Sequence, residues 1–120
     1  MIKKCLYGIF VLSLSLQLQA QDQAQREASA VTLADILNYR QYSDTFASAG
    51  QPTEEQFSAV RDAGYERVIY IAFTNNANAV PNADQVVKGL GMDYVHIPVD
   101  WNNPTARDFY TFADAMQRDR

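Results

Sequence analysis

The alternation of apolar and polar positions after residue 50 predicts a series of helices and strands. Thr53 is followed three residues later by Gln56, which is a capping-box pattern, and two acidic residues between them favour a helix start. Gly64 fits the stop of that helix. The apolar positions that this helix is expected to bury are Phe57, Val60 and Ala63.

Two apolar stretches predict strands. Residues 67–73 (RVIYIAF) form a nearly continuous run of β-branched and aromatic side chains, which is typical of a central parallel strand covered on both faces. Residues 94–99 predict the next strand. Between them we expect a loop at 74–82 and a short helix at 84–90, closed by Gly91.

The remaining elements complete an alternating pattern. Thr105 is expected to cap a last helix, and its apolar positions fall at i, i+3, i+4 and i+7. A helical turn at 33–37 and a short strand at 44–48 precede the first helix. Alternating strands and helices predict an α/β domain with a parallel sheet and right-handed crossovers. The positions predicted to form the buried stripe of the last helix are Phe109, Phe112, Ala113 and Met116.

The amino-terminal residues follow the pattern of a secretory signal peptide. MIKK is cationic, about a dozen mostly apolar residues follow from Cys5 to Leu16, and QLQA ends in a small residue. The apolar run is shorter than the roughly 20 residues that a spanning helix needs. We therefore predict a signal peptide at 1–20, a flexible leader at 21–32 and one domain at 33–120, with the product periplasmic or secreted.

Composition excludes several classes of function. Cleavage after Ala20 would remove Cys5, which is the one cysteine, and leave eight Lys and Arg against 14 Asp and Glu, a net charge of −6. That charge disfavours nucleic acid and anionic membrane surfaces as partners. His96 is the single histidine, so no metal-ligand spacing is present, and there is no Gly-rich nucleotide loop. No cofactor and no metal are predicted.

The stretch HIPVDWNNPT contains the candidate chemistry. Asp100 follows an apolar strand and precedes a helix start, so it fits either a general acid or a residue that stabilises the turn. Trp101 fits a platform for a substrate ring, or a side chain that closes the edge of a core. His96 is expected to be a packed or half-exposed strand residue and not a ligand.

The sequence resembles a known family in three successive parts. These are SAGQPTEEQFSAVRDAGYERVIYI, then GLGMDYVHIPVDWNNPT, then the final amphipathic helix. They are similar to the bacterial branch of the cysteine-dependent phosphatase superfamily, which contains small dual-specificity-like domains related to the phosphatase-like part of β-lactamase-hydrolase-like proteins. The resemblance covers residues 33–120. It implies a three-layer α/β sandwich with a mostly parallel sheet, here lacking its C-terminal portion.

The resemblance also implies a mechanism. In that family a strand ends in His-Cys, five residues and an Arg, and the cysteine thiolate attacks phosphorus. An aspartate on the preceding strand-to-helix loop protonates the leaving oxygen, and Asp100 matches that position. The nucleophile and the arginine have no counterpart in this sequence.

We therefore expect an exported phosphatase-like domain that hydrolyses phosphate monoesters through a phosphocysteine if the natural chain continues past residue 120. The 120-residue chain is expected to be inactive, and a phosphate ester is the expected substrate of the longer form. Two alternatives remain open: an inert binding module that keeps the phosphatase fold, and a non-functional fragment. The substrate's identity and the oligomeric state are left open too.

Overall fold

The protein is described by a computed structural model that covers residues 17, 19–21 and 31–118. The chain divides into two units, Met1–Ala30 and Val31–Arg120, and the elements below belong to the second. The predicted signal peptide at 1–20 and leader at 21–32 lie almost wholly outside the described residues. Within the described part, no helix is long and apolar enough to cross a membrane.

Within residues 31–118, three helices and four short strands follow a 3₁₀ turn at Leu33–Asp35. In chain order, the elements after that turn are β1 (Arg40–Gln41), β2 (Ala47–Ser48), α1 (Glu54–Asp62), β3 (Arg67–Tyr70), α2 (Ala83–Gly89), β4 (Asp93–His96) and α3 (Ala106–Gln117).

Helix α1 begins and ends where the sequence predicts. The Thr53 hydroxyl accepts a hydrogen bond from the Gln56 amide at 3.3 Å, and the Gln56 side chain accepts one from the Thr53 amide at 2.9 Å, so the capping box is confirmed. Gly64 adopts a φ of +90°, which is a conformation that favours glycine, and its amide donates to the Arg61 carbonyl at 2.9 Å. The helix is therefore fixed at both ends by its own sequence.

The first two strands form a small antiparallel hairpin that the sequence only half predicts. Arg40 pairs with Ser48 and Gln41 pairs with Ala47. The Tyr42 amide donates to the Phe46 carbonyl at 2.9 Å, and the two rings stack at 5.3 Å. Only β2 falls in a stretch predicted as strand, because a two-residue strand such as β1 is too short to show a period of two.

Strands β3 and β4 are parallel and are connected through α2, as predicted. Their register pairs Arg67 with Asp93 and Tyr70 with His96. Both strands are shorter than the predicted 67–73 and 94–99. The expectation that β3 is covered on both faces differs from the structure, since all four of its residues are only half-buried. Among the described residues its one strand partner is β4, so one edge has no neighbour to bury it.

The core lies where α1, α2 and the start of β4 meet. Phe57, Val87 and Met92 form a buried cluster, and Val87 has no exposed surface. Burying side chains of this size contributes roughly 1.5–3 kcal/mol each. Seven half-buried apolar side chains pack against that cluster: Val60, Val68, Val80, Ala83, Val86, Leu90 and Tyr94.

Helix α3 is anchored to the sheet by one arginine. The Arg67 guanidinium donates to the carbonyls of Ala115 at 2.8 Å and Arg118 at 2.6 Å, and to the Asp93 carboxylate at 3.0 Å. It thus satisfies carbonyls at the helix end, which have no partner within the helix itself. Ala115 is buried beneath this contact.

The predicted apolar stripe of α3 is only partly buried. Phe112 and Ala113 are half-buried, whereas Phe109 is 65% exposed and Met116 is 42% exposed. Within the described residues, half of the predicted stripe is covered and the other half is exposed. The physical reason is that the helix turns Ala115 toward the sheet, and within the described chain little else packs over its Phe109 side.

The Arg67 contacts generate a stability prediction. Arg67→Met should lower the free energy of unfolding by about 2 kcal/mol, because the side chain is only 20% exposed and makes three charge-assisted hydrogen bonds. Arg61→Met, which removes an exposed ion pair with Asp62, should change the same quantity by less than about 0.5 kcal/mol. Urea denaturation of both variants measures this, and equal losses would contradict the anchoring role.

Candidate active site at the carboxyl end of the parallel strands

The carboxyl ends of β3 and β4 bring two loops together. In open parallel sheets, ligands bind in the crevice beyond the carboxyl ends of the strands. Here residues 71–82 follow β3, and residues 97–105 follow β4. The second loop contains Asp100, so the sequence-predicted candidate lies at the edge of the sheet where function is expected.

The hydrogen-bond ladder between the strands shifts by one residue at this edge. Ile97 N donates to the Tyr70 carbonyl at 2.8 Å, as a regular parallel ladder requires. The next regular bond would join Val99 N to Ala72 O, but Val99 N donates instead to the Ile71 carbonyl at 3.3 Å. This offset resembles a bulge, which locally re-aims a strand, and it explains why both strands end earlier than the apolar runs predict.

The imidazole of His96 bonds to the Ala72 carbonyl, which the offset leaves without a backbone donor from Val99. His96 Nε2 lies 2.8 Å from the Ala72 carbonyl oxygen, and since a carbonyl only accepts, the ring nitrogen donates. The His96 ring is tilted against the Tyr70 ring at 5.4 Å. His96 is the last residue of β4, which confirms the prediction of a strand residue, and its side chain is exposed. Its hydrogen bond to the Ala72 carbonyl is a role that the sequence does not reveal.

A second side chain holds the next carbonyl. The Tyr70 hydroxyl donates to the Phe73 carbonyl at 3.3 Å and accepts from Gln51 Nε2 at 2.5 Å. Gln51 is set in place by Gly50, whose amide donates to the Leu37 carbonyl at 2.6 Å. A Cβ on Gly50 would lie 3.0 Å from that carbonyl oxygen, so the close approach requires glycine.

We use the name strand-end clamp for the side chains of Gln51, Tyr70 and His96 together with the backbone carbonyls of residues 71–73. All three successive carbonyls accept a hydrogen bond, the first from Val99 N and the other two from side chains. The clamp joins the loop before α1 to the loops that follow both parallel strands.

Asp100 is exposed and closes a turn. Its Oδ1 accepts from Asn102 N at 2.9 Å, and its backbone carbonyl accepts from Asn103 N at 3.0 Å. This is an Asx turn, the arrangement that the turn interpretation predicts. One carboxylate oxygen is thereby engaged, and the turn fixes the backbone of the loop that carries the acid.

Trp101 does not close the edge of a core in the described structure. It is 64% exposed, so the interpretation of a buried plug is wrong here. The neighbouring turn explains this exposure, since Asp100 and Asn102 are linked across Trp101 and hold its backbone at the surface.

Helix α3 begins directly after this loop with a second capping box. The Thr105 hydroxyl and amide both donate to the Asp108 carboxylate, at 2.7 and 2.9 Å. These hydrogen bonds lower the pKa of Asp108 below the usual range of an aspartate. The contribution of the cap to stability is therefore present above that range and is lost as the pH falls through the lowered pKa.

Burial affects one tyrosine on β4. Desolvation, with smaller contributions from Tyr70 and Asp84, raises the pKa of Tyr94. Its ring stacks on that of Tyr70 at 6.3 Å. The clamp therefore rests on a half-buried aromatic layer.

The open depression at the start of α1 offers little for a phosphate ester. It is lined by Thr53, Glu54, Glu55 and Ser58, and its two carboxylates would repel a phosphate group. In the described residues, no three His, Cys, Asp or Glu side chains are grouped as metal ligands. The carboxyl end of the sheet, where Asp100 lies, is therefore kept as the candidate site.

Comparisons with known proteins support the phosphatase interpretation at the level of the fold. No family model and no curated protein matches the chain. Two crystal structures, each described as "Putative phosphatase (DUF442)" from Shewanella putrefaciens CN-32, match it with 39% sequence identity and TM-scores of 0.67 and 0.66. Each match covers 70% of this chain. The chain has a phosphatase-like α/β fold.

The match covers only part of the Shewanella protein. The chain spans 56% of one Shewanella chain and 54% of the other, or about half their length. The shared fold therefore concerns the part of a phosphatase-like domain that contains the described strands and helices.

The turn at Asp100 generates a prediction that separates its two roles. Asp100→Ala should lower the free energy of unfolding by about 1 kcal/mol, because the Asn102 amide loses its acceptor. Asp100→Asn keeps an amide oxygen at that position and should stay within about 0.5 kcal/mol of the parent. Thermal or urea unfolding of both variants tests this, and a loss in Asn as large as that in Ala would contradict the turn role.

Proposed function

We propose that this chain is the supporting part of a phosphate-monoester hydrolase of the cysteine-dependent type, with Asp100 as its general acid. The single observation that carries the proposal is the position of Asp100 in a loop held at the carboxyl end of a parallel sheet. The phosphatase-like neighbours support the reaction class. The proposal includes the three-layer sandwich, to which further strands and helices of a longer natural chain would contribute.

The proposed chemistry has two displacements at phosphorus. A cysteine thiolate from a His-Cys-x5-Arg loop, which the resemblance implies in a longer chain, attacks phosphorus and forms an S–P bond while the ester P–O bond breaks. The leaving oxygen takes the proton of the Asp100 carboxyl group. Water then attacks phosphorus, the Asp100 carboxylate takes a proton from it, the S–P bond breaks and inorganic phosphate leaves.

The local geometry of Asp100 supports that role. Among the described residues, none donates a hydrogen bond to its second carboxylate oxygen, and the side chain is exposed to an incoming ester. The Asx turn and the Thr105 cap fix the loop on both sides, which reduces the entropy lost when a substrate is positioned.

The leaving group tests the acid. In a natural chain that carries the cysteine loop, Asp100→Asn should lower turnover of alkyl phosphates by about 10²–10⁴-fold. Turnover of p-nitrophenyl phosphate, whose leaving group needs little protonation, should fall far less. Steady-state kinetics on both substrates measures the difference, and Asp100→Asn preserves the turn.

Two controls accompany this experiment. Asp44→Asn removes an exposed carboxylate in the β1–β2 turn and should leave both rates unchanged. The 120-residue chain, which has no nucleophile matching the family motif, should show no turnover above a buffer blank. Equal losses on both substrates would reduce Asp100 to a turn residue, and a natural chain without activity would favour the inert binding module.

Export is a separate part of the proposal. The cationic start, the short apolar run and Ala20 support a periplasmic or secreted product. Amino-terminal sequencing of the mature protein should begin at Gln21 or within a few residues of it. Recovery of intact Met1 in the soluble cytoplasmic fraction would overturn the proposed location.

A further inference from the structure

The carbonyls of residues 71–73 are held in an unusual way. In a regular parallel ladder, backbone amides of the neighbouring strand would bond to alternate carbonyls. Here Ile71 O accepts from Val99 N, while Ala72 O and Phe73 O accept from His96 and Tyr70 side chains. At Ala72 O a side chain therefore takes the place of the backbone donor, and a second side chain holds Phe73 O, which a regular ladder would not bond to β4.

The shift determines how the Asp100 loop leaves the sheet. Val99 N donates to the carbonyl of Ile71, the residue directly after β3, and Asp100 is the next residue after Val99. If Ala72 O were free, the regular bond from Val99 N to Ala72 O would compete with the observed bond to Ile71 O. His96 occupies Ala72 O at 2.8 Å and so favours the offset register.

Tyr70 and Gln51 restrain the same segment through its next carbonyl. The Tyr70 hydroxyl bonds to Phe73 O, and Gln51 Nε2 bonds to that hydroxyl. The tyrosine ring also lies against the His96 ring. The two side chains on the carbonyls of 72 and 73 are thus in mutual contact and restrain one short segment together.

We propose that His96 and Tyr70 are positioning residues, which hold the strand ends in the offset register that aims Asp100 at the substrate. This inference rests on the proposed function of Asp100 but makes its own structural claim. His96 acts through the Ala72 carbonyl and Tyr70 through the Phe73 carbonyl, and neither is required to touch the substrate.

Amide hydrogen exchange on the 120-residue chain tests the structural claim without catalysis. His96→Leu and Tyr70→Phe should each speed exchange at Val99, Asn102 and Asn103 by about tenfold, since the first removes one hydrogen bond of the clamp and the second removes two. Exchange at Val68 and Val95, inside the regular ladder, should stay unchanged. His96→Gln, which retains a side-chain N–H donor, should restore slow exchange.

The matched control is Tyr39→Phe. It removes one phenolic hydroxyl from the Tyr39–Tyr65 pair, whose oxygens lie 3.1 Å apart, and leaves the clamp intact. Exchange at Val99 should not respond to it. Equal acceleration at Val95 and Val99 in His96→Leu, or no acceleration at Val99, would overturn the inference.

Kinetics on a natural chain with the cysteine loop tests the functional claim. His96→Leu should reduce kcat for alkyl phosphates about tenfold more than for p-nitrophenyl phosphate, with KM little changed, because only the proton transfer is misaligned. His96→Gln should recover most of that difference. A uniform loss on both substrates would overturn the positioning role. If Asp100→Asn itself shows no dependence on the leaving group, the proposed function fails, while the exchange experiment still decides the clamp.

Discussion

The parallel pairing of β3 with β4 is the constraint on which the rest of the structure depends. It begins with Asp93 N on the Glu66 carbonyl at 2.8 Å and continues to Val99 N on Ile71 O. Because the strands are parallel, both following loops emerge at one edge, and the chain must return through α2 between them. The buried cluster of Phe57, Val87 and Met92 lies beneath this crossover and stabilises it.

Much of the fold follows from local sequence chemistry. The capping boxes at Thr53 and Thr105 and the glycine stop at Gly64 are short-range patterns whose partners lie three or four residues apart, so the sequence predicts them well. The strands are predicted in kind, but their ends are not. The offset at Val99 depends on a side chain that bonds across to another strand, and no pattern along one strand reveals it.

In the candidate site, too, local features can be predicted from the sequence and contacts between distant residues cannot. Asp100 is found from its place after an apolar run, and its turn from the neighbouring asparagines. Gln51 and Tyr70 are 19 residues apart and meet only in the folded chain, so the sequence contains no signal for their contact. Helix α3 illustrates a related limit: helical spacing predicts which residues share a face, but it does not say what packs against that face.

These features agree with a phosphatase-like fold. The proposed function adds that Asp100 acts as the acid and that a further segment supplies the nucleophile. The most direct test is to read the coding sequence of the native gene beyond codon 120. The account predicts a strand followed by His-Cys, five residues and an Arg, which would supply the thiolate and the phosphate-binding guanidinium. A stop codon directly after codon 120 would contradict it.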